Sequence, residues 1–173
     1  SAWYLPGVET PRPSENLDAL LRDRFNLPSF REGQRDIIRS VTAGRDAMAV
    51  MPTGGGKSLC YQMPSLILDG IVVVISPLIG LMRDQVRGLS HLGIPAGCVY
   101  SDQPLEEKLR VFSRLKTSKQ FILYLSPERV QKSGFATWVK SQNIALFAID
   151  ESHCISQWGP DFRKDYYRLD LLR

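Results

Sequence analysis

Residues able to grip a structural metal or form disulfides are scarce in this sequence. There are three cysteines, Cys60, Cys98 and Cys154, an odd number, widely spaced and without a CxxC pair, and two histidines, His91 and His153. That supply argues against a disulfide framework and against a structural zinc site. Long apolar runs are missing too: the longest stretch, residues 71–82, is broken by Ser76, Pro77 and Gly80 and falls short of the roughly 18 residues that a membrane span needs. Residues 1–13 lack the basic start and apolar run of a secretory signal, so a reducing cytoplasm is the default expectation. Ser1 rather than methionine opens the chain, as in a processed or trimmed polypeptide. The sequence shows no internal repeat, no low-complexity segment and no long run of one charge.

What is present fits one folded domain. At 173 residues a second full domain does not fit, so the chain is one domain or a piece of something larger. With 43% hydrophobic and 23% charged residues the composition is that of a globular protein able to bury a core, not of a disordered or fibrous one. Twenty-two basic against 18 acidic residues give +4, a tilt toward anionic partners.

Pro6, Gly7, Pro11 and Pro13 mark residues 1–13 as an extended lead-in to a domain over 14–173. Ser14 offers an N-cap for a helix over 15–25, where Leu17, Leu20, Leu21 and Phe25 recur at helical spacing, and a second helix is expected over 32–43 with Gly44 as its stop. Short β-rich runs then follow at 47–51, 71–75, 121–125 and 146–149, with a weaker one at 97–100, separated by helical stretches. Alternation of this kind predicts an α/β fold, a mainly parallel sheet with helices on both faces. The charged stretch 105–119 carries Leu109, Phe112 and Leu115 as an apolar side and reads as a helix with one solvated face.

Between the first of these strands and the next helix lies Met51-Pro-Thr53-Gly54-Gly55-Gly56-Lys57-Ser58. A glycine-rich strand-to-helix loop turns backbone N–H groups and the positive end of a helix dipole toward one point, which stabilises a polyphosphate. Lys57, solvent-facing in the empty loop, is placed to reach the β and γ phosphates, and the Ser58 hydroxyl to ligate Mg²⁺. Met51 stands where the strict phosphate-loop pattern has glycine. The last strand ends in Asp150 and Glu151. In a parallel sheet that end lies on the same carboxyl edge as the phosphate loop, 93 residues earlier (150 − 57). Asp150 is expected to hold Mg²⁺ through its water shell, and Glu151 to orient and deprotonate the water attacking the γ-phosphate. A glycine-rich turn with a surface lysine, and a pair of merely exposed acids, are the plainer readings of the same residues.

Taken together, FREGQ (30–34), MPTGGGKSLCYQ (51–62), SPLIGLMRDQV (76–86), SPERV (126–130) and DESHCISQWGPDFRKDY (150–166) closely resemble the first RecA-like domain of the RecQ-family DNA helicases of superfamily 2, over residues 25–169. The resemblance implies a RecA-like P-loop NTPase fold, ATP and Mg²⁺ as cofactors, and 3′ to 5′ movement on DNA. It implies that Gln34 recognises adenine, that Arg31 stacks on the purine, and that Leu27 stands where the family usually has an aromatic residue. By the same resemblance Ser76, Arg83, Gln85, Ser126 and Arg129 contact a DNA backbone, and Trp158, Phe162 and Arg163 belong to an aromatic-rich loop that meets single-stranded DNA beside Glu151. In that loop Pro160 replaces a histidine, and nearby Ser152 replaces an alanine. The expected partners are single-stranded and partly duplex DNA and a second RecA-like domain carrying an arginine finger, which is missing from these 173 residues; no membrane is implied. The sheet is accordingly expected to be truncated at its C-terminal end. Localisation would be cytoplasmic and nucleoid-associated in a bacterium, nuclear in a eukaryote. Another superfamily 2 translocase, such as an RNA helicase, and a non-catalytic nucleotide or nucleic-acid binding module remain as alternatives. A GTPase would need an Asn-Lys-x-Asp motif that the sequence does not contain.

Overall fold

The computed structural model describes residues 2–3, 16–45, 47 and 56–150. Helix α1 (Leu17–Phe25) starts where the Asn16 side chain accepts hydrogen bonds from the Asp18 and Ala19 N–H groups. Ser14, the expected cap, lies outside the described residues. Leu17, Leu21 and Phe25 fall on one side at four-residue spacing and are buried. Helix α2 (Gln34–Thr42) buries Gln34, Ile38, Val41 and Thr42 and is followed, as expected, by Gly44 in the left-handed conformation.

Two short helices, α3 (Leu59–Gln62) and α4 (Pro64–Ile67), lead to strand β2 (Gly70–Ile75). Helix α5 (Ile79–His91), β3 (Ala96–Val99), α6 (Leu105–Thr117), β4 (Gln120–Leu125), α7 (Pro127–Gln131), α8 (Phe135–Ser141) and β5 (Ile144–Ile149) complete the alternation. Within the expected lead-in, β1 (Ala2–Trp3) pairs antiparallel with β5, Ala2 opposite Ala148 and Trp3 opposite Phe147. Among the described residues the sheet order is β1-β5-β2-β4-β3, and every pairing of these strands apart from that of β1 is parallel. Of the strand expected over 47–51, Ala47 alone falls within the described residues.

Nearly continuous apolar runs, GIVVVI, QFILYL and IALFAI, form strands buried on both faces, as a parallel sheet covered on both sides requires. Alternation along each strand sorts the side chains into two cores. Val72, Val74, Ile122, Tyr124, Leu146 and Ala148 pack with Leu21, Ile38, Leu59, Met82 and Leu89 from α1, α2, α3 and α5. Ile71, Val73, Ile75, Phe121, Leu123, Leu125 and Phe147 pack with Leu115, Val130 and Val139 from α6, α7 and α8. Leu109 does not join its expected apolar side: it is 58% exposed, and α6 turns Val111, Phe112 and Leu115 to the sheet instead. The reason is close approach, since a Cβ at Gly97 in β3 would come 2.8 Å from a Val111 methyl, so contact centres on that turn of the helix. Among the described residues no helix is long and apolar enough to cross a membrane.

Candidate nucleotide and nucleic-acid site

The site begins with the sheet register. Ile75 lies opposite Leu125 and Ile149, and Val99 opposite Leu125, so the carboxyl ends of four strands fall in one row. Hydrogen bonding runs one residue past three of them: Ser76 N–H donates to Leu125 O at 3.1 Å, Ser126 N–H to Val99 O at 3.2 Å, and Asp150 N–H to Ile75 O at 2.9 Å. Ser76, Ser126 and Asp150 thereby form a line along one edge. Lys57 reaches that edge, its Nζ 4.0 Å from Asp150 Oδ1, with both side chains largely covered. Lys57 is therefore not solvent-facing as expected, but half-buried and paired with the carboxylate at the end of β5.

The segment expected on the adenine side is tied to the same place. Gln34 Oε1 accepts from Arg31 N–H at 2.7 Å, and Gln34 Nε2 donates to Gly56 O at 2.9 Å. Gln34 is 3% exposed, an integral part of the site rather than a solvated helix residue. Its amide keeps one N–H and one lone pair beyond those two bonds. Gly56 has φ +79°, and a Cβ there would come 2.4 Å from Gln34 Nε2. This is the close backbone approach that a phosphate-binding loop needs. Arg31 and Leu27 lie exposed beside it, Leu27 at 42%.

A cation and a carboxylate meeting at one sheet edge, with the Ser58 hydroxyl next in sequence to Lys57, fit a nucleoside triphosphate with Mg²⁺. Among the described residues no group of three or more carboxylates, histidines or cysteines could cage a metal ion. Mg²⁺ needs none, because it keeps most of its water and takes one or two protein oxygens alongside the phosphates. Ser58 and Asp150 are the oxygens available for that.

On the expected nucleic-acid side the structure corrects several positions. Ser76 and Ser126 are buried, 2% and 1% exposed, so their hydroxyls do not face a DNA backbone. Ser76 Oγ instead accepts from Leu78 N–H at 3.4 Å, and Ser126 Oγ has no hydrogen-bond partner among the described residues. Gln85 turns inward, its Oε1 accepting from Gln62 Nε2 at 2.5 Å. Arg83 is exposed on α5. Arg129, half-buried, lines a cavity of about 260 Å³ together with Lys132, Phe112, Phe135 and Trp138. Thr53, Gly54, Gly55, Glu151, Trp158, Phe162 and Arg163 lie outside the described residues.

Sequence reasoning missed Gln62 and Tyr124. Gln62 Nε2 also donates to the Tyr124 hydroxyl at 3.0 Å, and Tyr61 packs edge-on against Tyr124 with centroids 6.1 Å apart. The signal was there, a lone amide in Leu-Cys-Tyr-Gln and a lone hydroxyl in the apolar run of β4. Burial holds the Tyr61 and Tyr124 phenols well above their ordinary range, and pushes the Cys60 thiol up to about 11. Cys60 is thus a small buried residue and not a nucleophile.

Comparison with known proteins agrees with this geometry. Residues 31–173 match the DEAD/DEAH box helicase family. The chain is 46% identical to ATP-dependent DNA helicase RecQ of Haemophilus influenzae over 90% of its own length and 25% of that protein's. It is 46% identical to probable ATP-dependent DNA helicase RecS of Bacillus subtilis (91% and 32%), and 40% identical to ATP-dependent DNA helicase hus2/rqh1 of Schizosaccharomyces pombe (98% and 14%). It thus spans between a seventh and a third of the length of these relatives. Among solved structures, Mycobacterium smegmatis helicase Lhr bound to ssDNA and AMP-PNP superimposes with a TM-score of 0.65 at 20% identity, over 89% of this chain and 23% of that one, a likeness of fold. With a RecA-like α/β sheet, a family match over most of its residues and this run of relatives, the chain belongs to the DEAD/DEAH box helicase family, among its RecQ-like members.

Proposed function

We propose that this chain is the ATP-binding and single-strand-contacting part of a RecQ-like 3′ to 5′ DNA helicase that couples ATP hydrolysis to duplex unwinding. The observation that carries the reading is the 4.0 Å pairing of Lys57 with Asp150, which brings the phosphate loop and the acidic end of β5 to one edge. On ATP binding Lys57 exchanges Asp150 for the β and γ phosphates, a charge-assisted contact of about 1.5–3 kcal/mol. Ser58 and Asp150 would hold Mg²⁺, which supplies charge neutralisation on the phosphates when bound. Glu151, next in sequence, takes the proton of the attacking water, and Gln34 and Arg31 hold the base. Arg83 and Arg129 are the cations offered to a nucleic-acid backbone, with Trp158, Phe162 and Arg163 adding stacking and charge. A second RecA-like domain of the larger protein would bring the arginine that stabilises the transferring phosphoryl group. The relatives' names and the RecQ-type aromatic-rich loop favour DNA over RNA.

The test is a titration of the chain with a fluorescent ATP analogue, beside Lys57→Ala, and turnover of the longer natural protein carrying Glu151→Gln. The reading expects the analogue's affinity to fall in Lys57→Ala, and in Glu151→Gln retained binding with hydrolysis slowed by about 10²–10⁴. Unchanged affinity in a folded Lys57→Ala chain sinks the phosphate-loop assignment, and a parent rate of turnover in Glu151→Gln sinks that of the base.

A further inference from the structure

Gln62 occupies a position that satisfaction of buried polar groups alone does not explain. Its main-chain N–H donates to Ser58 O at 2.9 Å, so it lies one helical hydrogen bond from the end of the phosphate loop. Both hydrogens of its side-chain amide are spent on other elements, one on Gln85 of α5 and one on the Tyr124 hydroxyl of β4. Gln85 lies two residues beyond Arg83 on the same helix. Tyr124 lies two residues before Ser126, which opens the turn into Arg129. A single amide therefore joins the nucleotide side of the site to both segments that offer cations to a nucleic acid. Gln62 is 8% exposed and Tyr124 1%, so water does not readily replace the bond between them if one element shifts against another, and the bond to Gln85 is part-buried.

Another buried glutamine shows what a local role looks like. Gln103 Nε2 donates to Cys98 O at 2.9 Å and its Oε1 accepts from Tyr100 N–H at 3.4 Å, both within one six-residue stretch of chain. The Gln62 bonds cross 23 and 62 residues of sequence and tie three separate elements.

We propose that Gln62 is a positioning residue that couples the two ligands: through its amide, nucleotide at Lys57 and Ser58 shifts α5 and the end of β4, and changes the affinity for a single strand held by Arg83 and Arg129. The proposal rests on the reading of the site given above. Linkage makes the effect reciprocal, so the single strand changes nucleotide affinity by the same factor.

The experiment measures four dissociation constants with the whole chain: a fluorescent non-hydrolysable ATP analogue with and without saturating oligo-dT, and labelled oligo-dT with and without saturating analogue. A coupling factor of about 5-fold or more is expected for the parent chain. Tyr124→Phe, which removes one oxygen, and Gln62→Met, which keeps the length and loses the amide, should bring the factor below about 2-fold, while each ligand measured alone changes by less than about 3-fold. Gln103→Leu lowers thermal stability and keeps the factor. A purely structural role for Gln62 would move stability and leave the factor unchanged, and that result overturns the proposal. So does a parent factor near one, or an equal loss in Gln103→Leu. Should Gln62→Met fail to fold, Tyr124→Phe decides alone. A parent chain that binds neither ligand brings down the functional reading itself, a result distinct from loss of coupling between two ligands that both bind.

Discussion

The two faces of the sheet are built from the same strands and differ in what they bury. Against α1 to α5 the interior holds Gln34, Thr42, Gln62, Ser65 and the hydroxyl of Tyr124 among its aliphatic residues. Against α6, α7 and α8 the packed core side chains are aliphatic or aromatic, with Arg129 and Lys132 at the rim beside Phe112, Phe135 and Trp138, and these three rings meet at 6.1–6.2 Å. In β4 the switch happens between neighbours: Leu123 and Leu125 face the apolar side, Tyr124 the polar one. Buried polar groups are costly unless bonded, and they specify geometry when they are. The difference teaches that one face supplies cohesion, while the other spends cohesion on fixing where Gly56, α5 and β4 stand.

The largest expected effect breaks the comparison from the cohesive side. Phe121 is 1% exposed on the apolar face, with the Arg114 guanidinium 5.7 Å from its ring centroid. Phe121→Ala should cost about 3–5 kcal/mol in urea unfolding. Nucleotide affinity, measured cold where the variant is folded, should stay within about twofold of the parent. If affinity fell along with stability, the division of labour between the faces would be wrong.

Smaller effects belong to the polar face. Lys57→Ala should weaken nucleotide binding by about 1.5–3 kcal/mol with little change in unfolding. Gly56→Ala should lower both nucleotide affinity and stability. A left-handed backbone costs an L residue about 1–2 kcal/mol, and the new methyl must push Gln34 Nε2 off Gly56 O. Selectivity for ATP over GTP, read by competition, should fall with it; intact selectivity would separate base recognition from the Gln34 to Gly56 bond.

Much of this was legible in sequence, and the limits have physical causes. Strand runs such as Ile-Val-Val-Val-Ile, and glycine stops such as Gly44, declare themselves because burial on both faces and positive φ each demand particular residues. The edge shared by Lys57 and Asp150 followed from parallel topology, since every parallel strand ends on the same side. What sequence could not show was direction. Ser76, Ser126 and Gln85 sit in segments expected to meet DNA, yet register and helix phase turn the two hydroxyls and the amide inward. Motif membership gives the segment, and only packing gives the side chain's aim. The link between Gln62 and its partners was hidden for the converse reason, because they are 23 and 62 residues away and no local pattern joins them.

The smallest effect is one of pH, and it sharpens the comparison because the groups involved all lie on the polar face or in the helix that feeds it. Burial raises the Cys60 thiol from its ordinary 9.0 to about 11, and raises Cys98, Tyr61 and Tyr124 in the same direction. A folded group that holds its proton more tightly than its unfolded counterpart adds a constant contribution at low pH. It loses that contribution once the unfolded group begins to ionise. For Cys60 the stabilisation is therefore full below about pH 9 and is lost as pH rises toward 11, with a limiting slope of about 1.4 kcal/mol per pH unit for a single group. Urea unfolding of the chain between pH 8 and pH 10.5 should show stability falling from about pH 9. Cys60→Ala removes one of the four ionising groups, so its stability should fall less steeply over the same window, whatever its starting value. Equal slopes in parent and variant would show that Cys60 does not hold its proton more tightly in the folded chain, and would leave Cys98 and the tyrosine pair as the source of any alkaline loss.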